Sequence, residues 1–590
     1  MSETDLARSY EDLCEDAQAT IPEIGVEACR DKVARGDLLL IDIREAEEWG
    51  DGIIPRATTI SRGVLEKEIQ ATVEDRSTPI CLYCSSGRRS LLAAMTLRTM
   101  GYTDVRSLAG GMTAWRNADE DIAAAPRGTF VTATADAAET CDPECWESIR
   151  KSFAITTQRV RVLDGTTVPL TYFDHAATTH PPDLVIDRVR EFLRHEYANV
   201  HRATYQLARR STLRFEDCYR TCREFVGATA AEHCVVFTPN TTAGLELVAH
   251  VTASLPGKVL VTDLEHHSGD LPYRRRGDVV RIGLDDDLRL DLAALRDALR
   301  TDRIKLVSVT GAANVTGWMP PLAEIATMAH EAGALICVDA AQLLAHAPID
   351  MGLPGEPGSI DFLVAAGHKA YAPFGAGFLV GPQSLLDASE PVIPGGGVAS
   401  KVDEETASWL PSPDRHQYGT PNVGGVVGMA EMLTFLDRIG MDRVREHETH
   451  LFRRLVDGLH AIDGVELYGP ASLDQRVGIV PFNLRGHEDM LTAAILGEEF
   501  GIAVRNGRFC AHVHSRRVLP DAGLEGAVRA SIGLYNDESD VDRLITAVEA
   551  IRAGRFKGRY SERGEAMSGE WGGRCADRWM EGRTDRNDNS

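Results

Sequence analysis

The sequence is poor in lysine and has no long apolar run. Lysine supplies only 8 of the 63 basic residues, and 88 acidic residues outnumber them, for a net charge of -25. That sign argues against a nucleic-acid-binding surface, which must be basic to face phosphates. No window approaches the about 18 consecutive apolar residues of a membrane-spanning helix, so no membrane association is expected. The opening, MSETDLARSYEDLCED, lacks the basic start and apolar stretch of a secretory signal, and a cytoplasmic location is expected. Twelve cysteines scattered over 590 residues read as reduced thiols rather than a disulfide framework. Cys141 and Cys145 form a C-x3-C pair with no second pair of ligands nearby, so no metal site is expected. No internal repeat stands out.

What is present is the composition of a globular protein, 43% apolar and 26% charged, in a chain too long for one core. Residues 18–122 alternate strand-like runs (LLLID, TPICLYC, VRSLAG) with helix-like ones such as SLLAAMTLRTMGY, which predicts a small parallel sheet covered by helices. The pattern weakens over 123–167, read as a linker. A longer β/α alternation fills 168–555, with a large part at about 174–420 and a smaller α+β part at about 421–555. The Gly- and charge-rich stretch 556–590 reads as a disordered tail. The fold class expected throughout is α/β.

The stretch CLYCSSGRRS, residues 81–90, admits four readings: a redox CxxC pair, half a zinc site, a phosphate-gripping loop, or a nest for sulfur on one cysteine. TPICLYC reads as a buried parallel strand and SLLAAMTLRTM as the helix after it. The loop Cys84, Ser85, Ser86, Gly87, Arg88, Arg89 therefore sits at a strand-to-helix junction, where backbone N–H groups and a helix N-terminus form an anion nest. A cysteine there suits a persulfide, whose terminal sulfur is anionic. Cys81, three residues back inside the strand, should pack in the sheet.

These residues, with IDIREAEEWGDGIIPRA at 41–57 and LAGGMTAW at 108–115, resemble a single-domain rhodanese, a sulfurtransferase. Four residues between Cys84 and Arg89 match the small sulfur-binding loop; related phosphatases and arsenate reductases use one more. Ile53 stands where the family often has His, a structural position. The resemblance implies that Cys84 carries sulfane sulfur.

An enzyme using pyridoxal phosphate needs a Schiff-base lysine, a carboxylate for the pyridine nitrogen, an aromatic over the ring and a helix N-terminus with hydroxyls for the phosphate. In an open parallel sheet these belong at the carboxyl ends of strands. ALICVDAAQ ends at Asp339 and Gln342, DFLVAAGHK at His368 and Lys369, KVLVTDLEHH at His266, and KLVSVTGAAN at Asn314. CVVFTPNTTAGLELVAH turns from strand to helix across Asn240, Thr241 and Thr242.

From 170 to 553 the chain resembles a class V aminotransferase-fold enzyme (fold type I, aspartate aminotransferase-like) of the group II cysteine desulfurase and selenocysteine lyase kind. Further matching segments are YFDHAATTH, NVHRATYQLARRST (from Asn199), YGTPN and VRASIGLYN. The resemblance implies pyridoxal 5'-phosphate on Lys369, Asp339 at the pyridine nitrogen, His266 stacked on the ring, and Asn314 and Gln342 near the phenolic oxygen. It implies Thr241, Thr242 and His368 at the phosphate together with Thr420 of a second subunit, hence a homodimer. Ala366 replaces a family Ser, losing one phosphate hydroxyl. Arg529, with Arg505 and Asn199, would bind substrate.

Desulfuration also needs a nucleophile for the substrate sulfur. Cys510 in IAVRNGRFCAHVHSRRVL is the candidate, with Arg505, Arg508, His512 and His514 placed to favour its thiolate. The corresponding family segment is RxGHHCA, so Arg508 and Phe509 replace two histidines. The leading expectation is L-cysteine cleaved to L-alanine, with Lys369 as proton shuttle, a persulfide on Cys510, and relay to Cys84. Selenocysteine is an alternative substrate, and an iron-sulfur scaffold or sulfur carrier the expected acceptor. The second expectation is another class V enzyme, an aminotransferase, epimerase or selenocysteine lyase, whose rhodanese part is a docking or regulatory module.

Overall fold

The computed structural model describes residues 10–44, 48, 52–73, 75–118, 120–123, 145–201, 203–229, 232–519 and 526–560. It divides into two units, Met1–Thr134 and Ala135–Ser590. Cys141, 520–525 and the stretch 561–590 lie outside the described residues. Among the described residues no helix is long and apolar enough to cross a membrane.

The first unit is a five-stranded sheet made of β1 (Glu23–Ile24), β2 (Leu39–Asp42), β3 (Thr58–Thr59), β4 (Ile80–Tyr83) and β5 (Val105–Leu108). The order is β1-β5-β4-β2-β3, and the paired strands are parallel. β4 is buried along its whole length, as an apolar central strand requires. Its side chains alternate between two cores. Ile80, Leu82 and Cys84 face one with Ala17, Ile21 and the helix Arg88–Thr99, whereas Cys81 and Tyr83 face the other with Cys29 and Trp115. A helix at Tyr10–Thr20, ahead of the expected boundary at 18, belongs to this unit.

In the second unit, residues from Cys145 onward are structured, contrary to the linker expected up to 167. The helix Trp146–Lys151 and the hairpin of β6 (Arg159–Arg161) and β7 (Thr167–Pro169) occupy this stretch. Ile149 and Phe153, both fully buried, anchor it in the large core. β8 (Thr171–Tyr172) follows.

A seven-stranded sheet then forms from β9 (His233–Thr238), β10 (Lys258–Thr262), β11 (Val279–Ile282), β12 (Ile304–Thr310), β13 (Leu335–Asp339), β14 (Phe362–Ala366) and β15 (Gly377–Pro382). The order is β11-β10-β12-β13-β14-β15-β9, with β15 antiparallel to both neighbours. The carboxyl ends of β9, β10, β12, β13 and β14 thus share one edge of the sheet. These strands are Val/Leu/Ile-rich because helices cover both faces.

After the hairpin β16 (Ala399–Val402) and β17 (Ala407–Trp409), the helix Val423–Ile439 packs into the large core. The sequence reading put this helix in the small part; an apolar surface on nearly every side assigns it to the larger core instead. The small part begins with the helix Met441–His460. It contains β18 (Val465–Leu467), β19 (Ile479–Leu484), β20 (Ile502–Ala503), β21 (Arg505–Gly507) and β22 (Ala527–Ser531), with β18-β19-β22-β21 as an antiparallel sheet and β20 paired to β8. Residues 556–560, expected at the head of a disordered tail, are held: Lys557 N and Gly558 N donate to Glu499, and Phe556 and Tyr560 pack on the small core.

Candidate active site

In the first unit the loop after β4 closes as the sequence suggests. Gly87 adopts φ +89°, a left-handed conformation that a β-carbon resists, and caps the following helix. Gly87 N donates to Cys84 Sγ at 3.2 Å and Ser90 Oγ approaches it at 3.6 Å. Met112 N and Thr113 N donate to the carbonyls of Cys84 and Ser85, so LAGGMTAW braces the loop from outside. Gly111 is obligatory there: at φ +56° its missing β-carbon would strike Cys84 O. Arg44 pairs with Asp42 at 2.7 Å, nearly buried, and donates to the carbonyls of Glu48 and Gly52. Glu48 in turn takes both Nη atoms of Arg89 at 2.7 Å. A structural ion pair thereby sets the arginine beside Cys84. Ser85, Ser86 and Arg88 are exposed, whereas Cys84 itself is buried. Cys81 lies on the far side of the sheet beside Cys29, whose thiol and burial push it well up, as a packing residue rather than a redox partner of Cys84.

The second site lies along the shared sheet edge. Lys369 follows β14 in a single 3-10 turn, and burial lowers its amine to about 8 against the raising effect of Asp339. Arg529 and Cys510 also act on that amine, so residues 160 and 141 positions apart from Lys369 share its surroundings. Asp339 ends β13, raised by burial, and accepts from Ala341 N at 2.9 Å. His266 is lowered to about 4 by burial and then by Lys369, a neutral ring suited to stacking. His368, likewise about 4 from burial, lies near Thr178. Asn240 caps the helix Thr241–Val251, and Thr242 Oγ1 lies 2.7 Å from Ser268 Oγ.

Several buried polar atoms here lack a partner among the described residues: Thr241 Oγ1, Gln342 Oε1, Asn314 Oδ1 and Arg529 Nε. Unpaired buried polar atoms cost stability, and their convergence on one edge fits a polar ligand with an anionic end. Pyridoxal phosphate has such an anionic end, and Lys369, Asp339 and His266 are the residues that would face its ring.

Arg505 on β21 stands directly opposite Arg529 on β22. Two like charges in register repel, and Asp174 bridges them at 3.2 Å and 3.6 Å. Burial raises the Asp174 carboxyl against both arginines. The trio keeps one excess positive charge, and the Nε of Arg529 is buried without a partner among the described residues. Phe509 stacks on the Arg529 guanidinium at 4.7 Å, and Asn314 Nδ2 donates to Phe509 O at 2.7 Å. His267 N donates to Cys510 O at 2.8 Å. Phe509 and Cys510 both have positive φ, +54° and +53°, so these contacts hold a turn that neither residue favours. Cys510 is exposed at the end of it.

The remaining expected residues fall outside this constellation. His514 is fully buried and lowered to about 3 by burial, so it stays neutral and brings no charge to Cys510. His512 rests on His267 instead. Asn199 is exposed, its Oδ1 accepting from Val200 N, and Thr420 is exposed. The sequence reading missed Asp174, Ser268 and Glu265. Glu265 is a fully buried carboxyl raised by burial, accepting from Thr262 Oγ1 at 2.6 Å and Thr310 N at 3.1 Å. A signal existed for Glu265 and Ser268, which lie inside and just after the strand-end segment KVLVTDLEHH, but not for Asp174.

Residues 171–544 match Aminotransferase class-V and residues 26–118 match Rhodanese-like domain. The chain belongs to the class-V aminotransferase family and carries a rhodanese-like domain ahead of it. Its similarity within the family is to cysteine desulfurases. One from Haloferax volcanii is 36% identical over 399 residues, 66% of this chain and 91% of the relative. One from Klebsiella pneumoniae is 35% identical, covering 69% and 98%. The apo structure of a cysteine desulfurase from Thermococcus onnurineus NA1 superposes with a TM-score of 0.62 at 31% identity, covering 69% of this chain and 98% of that one.

Proposed function

We propose that the chain converts L-cysteine to L-alanine, with Cys510 as the first sulfur acceptor and Cys84 as a second. The balance is L-cysteine plus the Cys510 thiol giving L-alanine plus a Cys510 persulfide. Lys369, Asp339 and His266 would hold pyridoxal 5'-phosphate, which when bound would supply the electron sink that labilises the bond between sulfur and the substrate β-carbon. Arg529, whose buried Nε has no partner among the described residues, binds the substrate carboxylate, and Lys369 Nζ, neutral above about pH 8, moves the proton. Cys510 Sγ takes the sulfur. What supports the reading is the turn at 509–510, pinned through its carbonyls by Asn314 and His267, whose Cys510 acts electrostatically on both Lys369 and Arg529.

Two copies are needed in this reading, because Thr420 belongs to the partner's phosphate site. Support comes from two exposed apolar side chains: Phe374, 73% exposed, contacts the His368 ring, and Leu193, 53% exposed, lies by Gly424, four residues after Thr420. Reduced thiols suit the cytoplasm. The outward acceptor is a sulfur-carrier protein or iron-sulfur scaffold, and selenocysteine would use the same clamp.

Alanine released from L-cysteine under a reductant tests the reading, with Cys510→Ala expected to abolish it while cofactor absorbance persists. The replacement of two family histidines by Arg508 and Phe509 favours the second reading, another class V activity. Transamination of L-cysteine at full rate in Cys510→Ala would select it.

A further inference from the structure

Ala366, the last residue of β14, offers no hydroxyl to the pocket. Ser268, 8% exposed, brings one from a different element. Its Oγ lies 2.7 Å from Thr242 Oγ1 and 3.0 Å from His266 Nδ1. Its backbone N–H also donates to His266 Nδ1, at 3.2 Å.

An unprotonated ring nitrogen has one in-plane lone pair, and the Ser268 backbone N–H already uses it. With that lone pair taken by the backbone N–H, the Ser268 hydroxyl is free to donate to Thr242 Oγ1, one of the two directions this pair allows. Each hydroxyl has a single proton, so in that direction Thr242 keeps its own for a partner elsewhere. Thr242 is the second residue of an 11-residue helix, where backbone N–H groups and the helix dipole already favour an anion. Thr241 Oγ1, on a residue only 7% exposed, has no partner among the described residues.

We infer that Ser268 is a positioning residue for the phosphate end of the cofactor: it orients the Thr242 hydroxyl outward and replaces the donor that Ala366 lacks. The inference rests on the pyridoxal phosphate reading above. Because the Ser268 backbone holds His266 independently of the side chain, removing the hydroxyl should spare the ring contacts.

The test is titration of the full-length apoprotein with pyridoxal 5'-phosphate and, separately, with pyridoxal, followed by absorbance. Ser268→Ala should weaken pyridoxal 5'-phosphate binding at least about tenfold, the loss of one oriented hydrogen bond to a charged group. Pyridoxal binding should change less than about twofold. Adding Ala366→Ser to Ser268→Ala should recover most of the loss, and Ser268→Ala should add nothing to Thr242→Ala. Unchanged affinity in Ser268→Ala would overturn the inference. Equal losses for the two ligands would do the same, by placing the effect at the His266 ring. Binding of neither ligand by the unaltered chain would overturn the cofactor reading and this inference with it.

Discussion

Replacing Arg529 by Met isolates the carboxylate clamp. Arg529 is 3% exposed, with an unpartnered Nε and an Nη2 held 3.6 Å from Asp174. Removing one partner of a buried, hydrogen-bonded charge pair costs about 2–5 kcal/mol, which corresponds to a fall in kcat/KM of roughly 30-fold to several thousandfold. The protein should survive the change, because Asp174 retains Arg505 at 3.2 Å. Arg505→Met is the control. With its side chain 50% exposed, that pair is worth about 0.2–1 kcal/mol, so less than about fivefold is expected. The assay is alanine formation from L-cysteine, compared with ethylamine formation from cysteamine, which has the thiol and amine but no carboxylate. The Arg529→Met factor should vanish with cysteamine. The same loss on both substrates would refute the clamp and leave Arg529 a structural residue.

Two further outcomes follow from the same geometry. Burial depresses the Lys369 amine to about 8, so its neutral, bond-forming fraction grows as pH rises through that value; capture of pyridoxal phosphate by the apoprotein, timed by absorbance, should accelerate and level off above about pH 9. A rate still climbing toward pH 10.5 would show an unperturbed lysine. Gly111→Ala drives a β-carbon into Cys84 O at a positive φ, and strain of about 1–3 kcal/mol should displace the sulfur loop. Thiosulfate-dependent persulfide loading of Cys84 should drop sharply while alanine formation from cysteine stays unchanged, and intact loading would show the loop tolerates the contact.

The strand-end residues were legible because a buried parallel strand has a plain signature. Val- and Leu-rich runs stop abruptly at Asp339, His368 and Asn314, and the fold puts all such ends on one edge. The loop at Cys84 was legible for the same reason, with Gly87 marking the turn. What the sequence hid depends on distant pairing. Nothing in YFDHAATTH says that Asp174 bridges two arginines whose opposition arises only when β21 meets β22. Phe509 read as a loss of histidine, and only the folded chain shows its ring under Arg529. His514 was misread because proximity in sequence suggested proximity to the thiol. The helix starting at His512 turns it inward, where burial keeps it neutral. The helix Val423–Ile439 was assigned to the wrong part although its all-round apolarity marks a core position.

The central claim is that sulfur from L-cysteine first becomes attached to Cys510. Mass spectrometry of the intact protein and its peptides, after brief exposure to L-cysteine, reads this directly. The account predicts one added sulfur on the Cys510 peptide, later sulfur on the Cys84 peptide, and neither in Cys510→Ala. Sulfur loaded on Cys84 in the Cys510→Ala protein, or a Cys510 peptide unmodified while alanine accumulates, would contradict it.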